Sequence, residues 1–411
     1  MKTFMRALLA VILAVLLAAS ALAAEFRDTA QIKNRAAVVF LRDLGLVSGY
    51  TDGSFRPGNN VHRSEAAKLA AIICEENPTP TQHAAYRDVP ESHWAAPYID
   101  YCTEKGIVSS EGGRFRPDGY LTGRELAKLL LACVGFDGRQ YTGKDWAVSV
   151  DRDANRLGIY AGIDTDPAVI ISRDNACRMI YNAIQCPAVI GKNERGEPIY
   201  ATDELLNPIT YMEYRFHVVK FSGVVTGNEF ADLTRTDGSL EPGQTALLDH
   251  APFSVSTDYT ALGRTAELTA VRTVVGNDVF YSVLGIPSLV PAEEVFSVNG
   301  VETYASILRY SGVSVSAETE YYLNGNRDTQ DFLIRLGDDC AITGIDRDGN
   351  GVLDAVLAYN YLRGTVISEK PLVVSVPNGR ETAVAMSGAS GLKRGSDCRC
   401  LLLGGTYYIV P

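Results

Sequence analysis

The chain has 411 residues, 46% of them hydrophobic, and a mean hydropathy of +0.00. That is enough for two or three domains with cores of their own, and it excludes a disordered or fibrous chain. With 38 basic against 49 acidic side chains the formal charge is −11, which excludes bulk attraction to nucleic acid.

Residues 1–24 read as a secretory signal. Lys2 and Arg6 precede the apolar run LLAVILAVLLAAS, and small residues from Ala21 to Ala23 suit a cleavage point. The alternative, an uncleaved anchor, is disfavoured because the run is short for a bilayer span. Cleavage near Ala24 removes two cations and takes the charge to −13. No Cys stands at the cleavage point to carry a lipid, and no later run is long enough to cross a membrane. Retention at the cell would therefore need a binding site.

Next comes an internal repeat. FRPGNNVHRSEAAKL (Phe55 to Leu69) recurs sixty positions later as FRPDGYLTGRELAKL (Phe115 to Leu129), with Phe, Arg, Pro, Glu, Ala, Lys and Leu in matching places. A weaker copy aligns at Pro167 as PAVIISRDNACRM, so that Pro57, Pro117 and Pro167 hold one position three times. Upstream, each copy ends a helical stretch in Gly: Gly45, Gly106 and Gly158. These suit left-handed caps, and the Pro beyond cannot continue a helix. Trp94 and Trp146 each stand twelve residues before that Gly, where the first copy has Lys33.

The second helix of each unit has a start signal. Thr122 with Glu125 forms a capping box, and Ser172 caps the third copy. In the first, His62 takes the cap position and leaves Glu65 without its usual partner. Ala66, Leu69, Ala70 and Ile73, like Leu126, Leu129, Leu130 and Cys133, fall at helical spacing. A short helix pair cannot bury such a stripe alone, so three units should pack on one another.

These residues resemble S-layer homology repeats, marked by a Gly-x-x-Asp-Gly-x-Phe-x-Pro loop and a Thr-Arg-Ala-Glu helix start. Gly49, Asp52, Gly53, Phe55 and Pro57 match the loop fully; Gly113, Phe115 and Pro117 match in part; Gly162 and Pro167 are what the third copy keeps. The helix starts read HRSE, TGRE and SRDN. The units span 26–77, 84–136 and a degenerate 141–187. The resemblance implies an all-α pseudo-threefold bundle of three helix-loop-helix repeats. It also implies grooves that hold an anionic secondary cell-wall polysaccharide or peptidoglycan-linked polymer, with the helix-start Arg as a central contact.

The chemistry agrees independently. An Arg in a helix's first turn sets a guanidinium beside unsatisfied backbone N–H groups, and both favour a carboxylate or phosphate. Arg63 and Arg173 hold that place; copy two has Gly123 there and Arg124 one residue on, about 100° around the helix. Two working grooves at most are expected. The binding set is Arg63, Arg173 and Arg124, with Gly49 and Asp52 from the loop and Trp94 and Trp146 as sugar platforms or core.

Cys74, Cys102, Cys133 and Cys177 sit in helical apolar patterns where a small buried residue fits. The spacings of all eight Cys match no disulfide scaffold, so free thiols are slightly favoured.

Residues 188–210 read as a linker. From Tyr211 to the C-terminus the pattern turns to short runs rich in Val, Thr and Tyr, with turn signals at Asn299-Gly300, Asn324-Gly325 and Asn378-Gly379. This predicts an all-β region of sandwich or barrel modules with helices absent or minor. Within it, Asp346, Asp348, Asn350 and Asp354 place oxygen ligands as a calcium loop does, although an EF-hand's twelfth position is Leu357 here. A metal-free Asp/Asn/Gly turn is the other reading.

Enzyme signatures fail. GRQYTGKD from Gly138 carries Asp145 where a phosphate loop needs Ser or Thr, and His217 and His250 have no nucleophile partner. The sequence thus predicts a secreted cell-wall or S-layer protein displaying a β-rich structural or adhesive region. The alternative is a wall-anchored hydrolase with its site in 211–411.

Overall fold

A computed structural model describes residues 26–411 apart from 76–77, 81–82, 84–85, 109–112, 236–237, 277, 291–293, 387 and 390. The signal segment lies outside the described residues. Two compact units result, one of residues 26–219 with Thr269–Ile286, the other of Lys220–Leu268 with Pro287–Pro411.

The first unit is helical. Its helices are α1 (Arg35–Asp43), α2 (Arg63–Cys74), α3 (Ala96–Glu104), α4 (Gly123–Cys133), α5 (Trp146–Arg156) and α6 (Arg173–Ile184). The glycine stops behave as expected, with φ of +78°, +70° and +71° at Gly45, Gly106 and Gly158. After α1, Leu46 N donates to Leu41 O and Gly45 N to Arg42 O. After α3 and α5 the same pair of bonds recurs, Ile107 to Cys102 with Gly106 to Thr103, and Ile159 to Ala154 with Gly158 to Asn155. Each is a Schellman ending that satisfies otherwise orphaned carbonyls.

The starts of α4 and α6 are capped as read. Glu125 N donates to Thr122 Oγ1 (3.2 Å) while Glu125 Oε2 accepts from Thr122 N (2.8 Å), and Asn175 N donates to Ser172 Oγ (3.3 Å). At α2 the reading needs correction: Glu65 Oε2 still accepts from His62 N (2.9 Å), so it keeps its backbone partner. The His62 ring instead sets Nδ1 3.0 Å from the Asp118 carbonyl.

Three loop strands knit the helix pairs together. Val61 N donates to Ile171 O, Ile171 N to Leu121 O, and Leu121 N to Val61 O, a closed three-membered ring. Around it each second helix begins on a neighbour's loop. Arg63 N meets Gly119 O, Gly123 N meets Val169 O, and Arg173 N meets Asn59 O. The buried stripes, including Val38, Leu41, Ile73, Leu130, Leu131, Ile159 and Ile180, share one core. Cys102, Cys133 and Cys177 lie in it, and all eight cysteines are unpaired.

The reading of 188–210 as a linker is corrected. Residues 189–200 form the hairpin β1 (Val189–Lys192) and β2 (Pro198–Tyr200), and Ala188, Val189 and Ala201 are buried in the helical core. Tyr211 and Met212, on α7 (Tyr211–Phe216), join it, as does Leu284. Asp43 Oδ2 also accepts from Gly285 N (3.0 Å), so Thr269–Ile286 belongs to this unit. These short alternating segments carry few apolar residues, which is why they read as polar connection.

Strands β3 (Val218–Asn228), β4 (Thr245–Leu247), β5 (Thr265–Val275) and β6 (Asp278–Leu289) form one sheet of order β4-β3-β5-β6. A second sheet, ordered β7-β10-β11-β8-β9, joins β7 (Glu294–Asn299), β8 (Glu320–Leu323), β9 (Asn326–Asp328), β10 (Cys340–Ile345) and β11 (Ala355–Asn360). It carries α8 (Val301–Tyr310), whose Tyr304 is 1% exposed, so helix is present where little was expected. A closed barrel, β12-β13-β14-β16-β15, is built from β12 (Leu362–Glu369), β13 (Leu372–Val376), β14 (Gly379–Ala385), β15 (Asp397–Leu403) and β16 (Thr406–Val410).

Of the three turn signals, Asn324-Gly325 has φ of +51° and +75°, as a type I′ hairpin requires, and joins β8 to β9. Asn299-Gly300 instead leads into α8, with Gly300 at its N-cap.

Candidate functional site

Two grooves of the helical unit gather the repeated residues. The first, of about 450 Å³, is lined by Arg63 from the start of α2, Glu125, Lys128 and Leu129 from α4, and Trp146 from the start of α5. The second, of about 280 Å³, is lined by Arg173 from α6, Glu65, Lys68 and Leu69 from α2, and Trp94 just before α3. Each takes its Arg, its Glu/Lys pair and its Trp from three different segments, in the same cyclic order.

The arginines are held alike. Arg63 Nε donates to Phe115 O (2.9 Å) with its guanidinium 5.3 Å from the Phe115 ring centroid. Arg173 Nε donates to Phe55 O (3.2 Å), 4.9 Å from the Phe55 centroid. The loop Phe thus positions the next groove's cation, and that is the chemical use of the repeated Phe.

Their charges differ. Arg63 Nη1 lies 2.7 Å from Glu125 Oε1, so its charge is already matched. Arg173 sends Nη2 to Ser48 O (3.2 Å), and among the described residues no carboxylate pairs with it. The second groove therefore keeps an uncompensated guanidinium in a partly apolar cleft, where an anion gains most.

Arg124 is placed elsewhere. Its backbone N–H meets Pro167 O, the register held by Ser64 on Pro117 and Asp174 on Pro57, so Gly123 occupies the groove position. A Cβ on Gly123 would stand 3.1 Å from Pro167 Cα. The Arg124 side chain binds Asp151 through Nε (2.9 Å) and Nη2 (2.7 Å), and Tyr160 donates to the same carboxylate (2.9 Å). Lys33, standing where the other copies have Trp, pairs with Asp164 at 2.6 Å. The third position is thus filled by internal ion pairs.

Gly49 and Asp52 shape their loop. A Cβ on Gly49 would meet the Phe26 ring at 2.7 Å. Asp52 accepts from the Ser54 hydroxyl (2.6 Å), the Ser54 backbone (2.9 Å) and Arg56 (2.9 Å), which together hold its carboxyl far below the usual range. Arg56 in turn covers the Tyr50 ring at 4.1 Å. Trp94 is 54% exposed beside its groove, while Trp146 is half-buried under Lys128, whose Nζ lies 5.7 Å from the ring centroid.

Sequence reasoning missed Lys68, Lys128, Asp28 and Asp88. The lysines were visible as repeated letters without an assigned role. Asp28 accepts from Phe55 N and Arg56 N (both 2.7 Å), and Asp88 from Phe115 N (2.9 Å) and Arg116 N (2.8 Å). They lie 27 residues upstream of the loops they hold. Arg56 and Arg116 there have φ of +57° and +60°, a conformation that costs a non-glycine residue on the order of 1 kcal/mol.

Partial burial pulls both carboxyls upward, and the backbone donors outweigh it, so each ends below its ordinary value. A depressed folded-state pKa contributes stability above the unfolded value and loses it as pH falls through the folded one. The helical unit's unfolding temperature should hold from pH 7 to 5 and drop below about pH 4. Asp28→Asn with Asp88→Asn should lower it at pH 7 and flatten the acid drop; thermal unfolding across pH measures both.

In the second unit, the carboxylates of Asp346, Asp348 and Asp354 come within 4.8 Å of one another in the β10–β11 loop. Asp346 accepts from Gly349 N and Gly351 N (both 2.8 Å). Asn350 does not join them: its Oδ1 accepts from Val352 N (2.7 Å) and its Nδ2 donates to Asp348 (2.9 Å).

Among known proteins, residues 25–67 and 85–127 match the family model of the S-layer homology domain. Cell surface glycoprotein 1 of Acetivibrio thermocellus is 37% identical over 86 residues, 20% of this chain and 4% of that protein. The cell surface protein of Thermoanaerobacter kivui is 24% identical over 262 residues, 60% of this chain and 31% of the relative. A cellulosome-anchoring protein of A. thermocellus is 35% identical over 104 residues, 24% and 23% of the two chains. The chain therefore spans less than a third of each of these relatives. No helix among the described residues is long and apolar enough to cross a membrane.

Proposed function

We propose that residues 26–187 form a pseudo-threefold bundle of three S-layer homology repeats, whose two open grooves hold an anionic secondary cell-wall polysaccharide. At the coarser level, the protein is a secreted, cell-wall-associated envelope protein anchored through S-layer homology domains. The closed ring of loop hydrogen bonds is the observation that carries the finer reading, because it makes residues from three segments converge twice in the same order. It supports counting 141–187 as a third, degenerate repeat. A chain segment of acidic saccharide would set its anionic group on Arg173 or Arg63 and lay an apolar sugar face on Trp94 or Trp146.

The second unit is read as a displayed structural or adhesive region. A hydrolase would need two carboxylates free to act in one cleft. Asp339 and Asp397 do line one cleft of this unit, but Asp339 is bound in a bidentate pair by Arg399.

The β10–β11 loop is proposed as a calcium site formed by Asp346, Asp348 and Asp354, on the strength of their convergence on a paired hairpin. Millimolar calcium should raise the unfolding temperature of the wild type by a few degrees and leave Asp346→Asn with Asp354→Asn unmoved, as read by scanning calorimetry. Equal curves for wild type with calcium and with chelator would dismiss it. For the grooves, the test is pelleting of the full chain with purified walls, argued below.

A further inference from the structure

From the outer face of the C-terminal barrel we infer a separate binding site for an acidic saccharide, recognised through Arg363. Alternation along the strands puts Gly364, Val366, Val374 and Cys400 inside the barrel. It turns Arg363, Thr365, Ser375, Asp397 and Arg399 outward, where they line a cleft of about 610 Å³.

Register fixes how these groups meet. Arg363 on β12 stands directly opposite Arg399 on β15, and Thr365 is flanked in register by Asp397 on one side and Ser375 on the other. Like charges directly opposite on paired strands repel. Only one of the two is relieved: Arg399 grips Asp339 through Nε (3.0 Å) and Nη2, with its guanidinium 3.6 Å from the Tyr361 ring centroid. Among the described residues no carboxylate lies within ion-pairing distance of Arg363. A second cation held rigidly opposite it therefore leaves Arg363 short of one negative charge.

The rest of the cleft defines what would supply that charge. Ser375 offers a hydroxyl donor to an oxyanion seated on the Arg363 fork, while the Thr365 hydroxyl is turned to Asp397. Asp397, whose Oδ1 is 3.4 Å from Thr365 Oγ1, offers an acceptor to a neutral hydroxyl. A simple anion uses the first set and is opposed by Asp397; a sugar unit that carries both a carboxylate or phosphate and free hydroxyls uses all of them. This site lies wholly in the second unit and does not rest on the helical grooves.

The test uses the full chain with Arg63→Ala, Arg173→Ala, Lys68→Ala and Lys128→Ala, which removes the arginine and the lysine of both helical grooves. Calorimetric titration at low salt takes hexagalacturonate as the carboxylate probe and an oligo(glycerol phosphate) as the phosphodiester probe. One site per chain is expected for at least one of them, and whichever binds identifies the anion. Adding Arg363→Ala should weaken it at least tenfold, Ser375→Ala several-fold, and Arg309→Ala on the exposed face of α8, away from the barrel, not at all. Unchanged thermal unfolding of these surface variants separates binding from folding. No heat from either probe, or binding indifferent to Arg363→Ala, overturns the assignment.

Discussion

The full chain carrying Arg63→Ala and Arg173→Ala is expected to remain in the supernatant when mixed with purified cell walls, where the unaltered chain pellets. Charge-assisted hydrogen bonds contribute about 1.5–3 kcal/mol each, so each substitution alone should weaken binding roughly ten- to a hundredfold at its own groove. The two should not be equal. Arg63 is already matched by Glu125 at 2.7 Å, whereas Arg173 faces its groove without a carboxylate partner, so Arg173→Ala should cost more. Arg124→Ala serves as the control, since its guanidinium is spent on Asp151. Binding should also fall with added salt, as expected for partly exposed charges. A double variant that pellets undiminished, or an Arg124→Ala loss equal to that of Arg173→Ala, would remove the groove chemistry from the account. The full chain is the right object, because the helical core includes Val189, Tyr211, Met212 and Leu284, which a fragment ending at residue 187 would lack.

The second large effect concerns that extended core. Gly135 has φ of +102°, and a Cβ on it would stand 1.9 Å from the Val189 carbonyl oxygen. Val189 N in turn donates to Val134 O at 3.0 Å, so the clash is between two pieces of backbone that no rotamer change relieves. Backbone strain and overpacking of this kind each cost about 1–3 kcal/mol. Gly135→Ala should therefore lower the helical unit's unfolding temperature by roughly 4–24 °C, taking ~2–4 °C per kcal/mol for a unit of this size over a summed cost of about 2–6 kcal/mol. Gly143→Ala isolates the conformational part, because Gly143 has φ of +78° and nothing within 4 Å of its Cβ. It should cost about 1–2 kcal/mol. Equal losses in the two variants would mean that β1 does not press on the α4 terminus as described.

What could be read in advance was whatever is local or repeated. Gly45, Gly106 and Gly158 announce left-handed stops because only the backbone two or three residues away decides that conformation. Thr122, Glu125 and Ser172 announce helix starts for the same reason, and the Phe-Arg-Pro repeat betrayed its own period. Even the weakness of the second copy was legible, since Gly123 for Arg removes a groove cation wherever the helix lies. His62 misled, because losing the capping hydroxyl does not break the reciprocal bond: Glu65 reaches a backbone N–H that every residue has.

The sequence by itself determined the repeat, its caps, the acidic charge and the change to β-rich structure at the second half, all set by neighbours along the chain or by composition. Tertiary structure alone decided which segments share a groove, since Arg173, Lys68 and Trp94 are far apart in sequence and meet only through the ring of loop hydrogen bonds. It also decided that Ala188, Val189 and Ala201 of the 188–210 segment join the helical core, that Asp28 and Asp88 clamp loops 27 residues away, and that Arg363 faces Arg399. Each of these rests on strand register or on packing between distant segments, and neither leaves a periodic mark in the residues that make it.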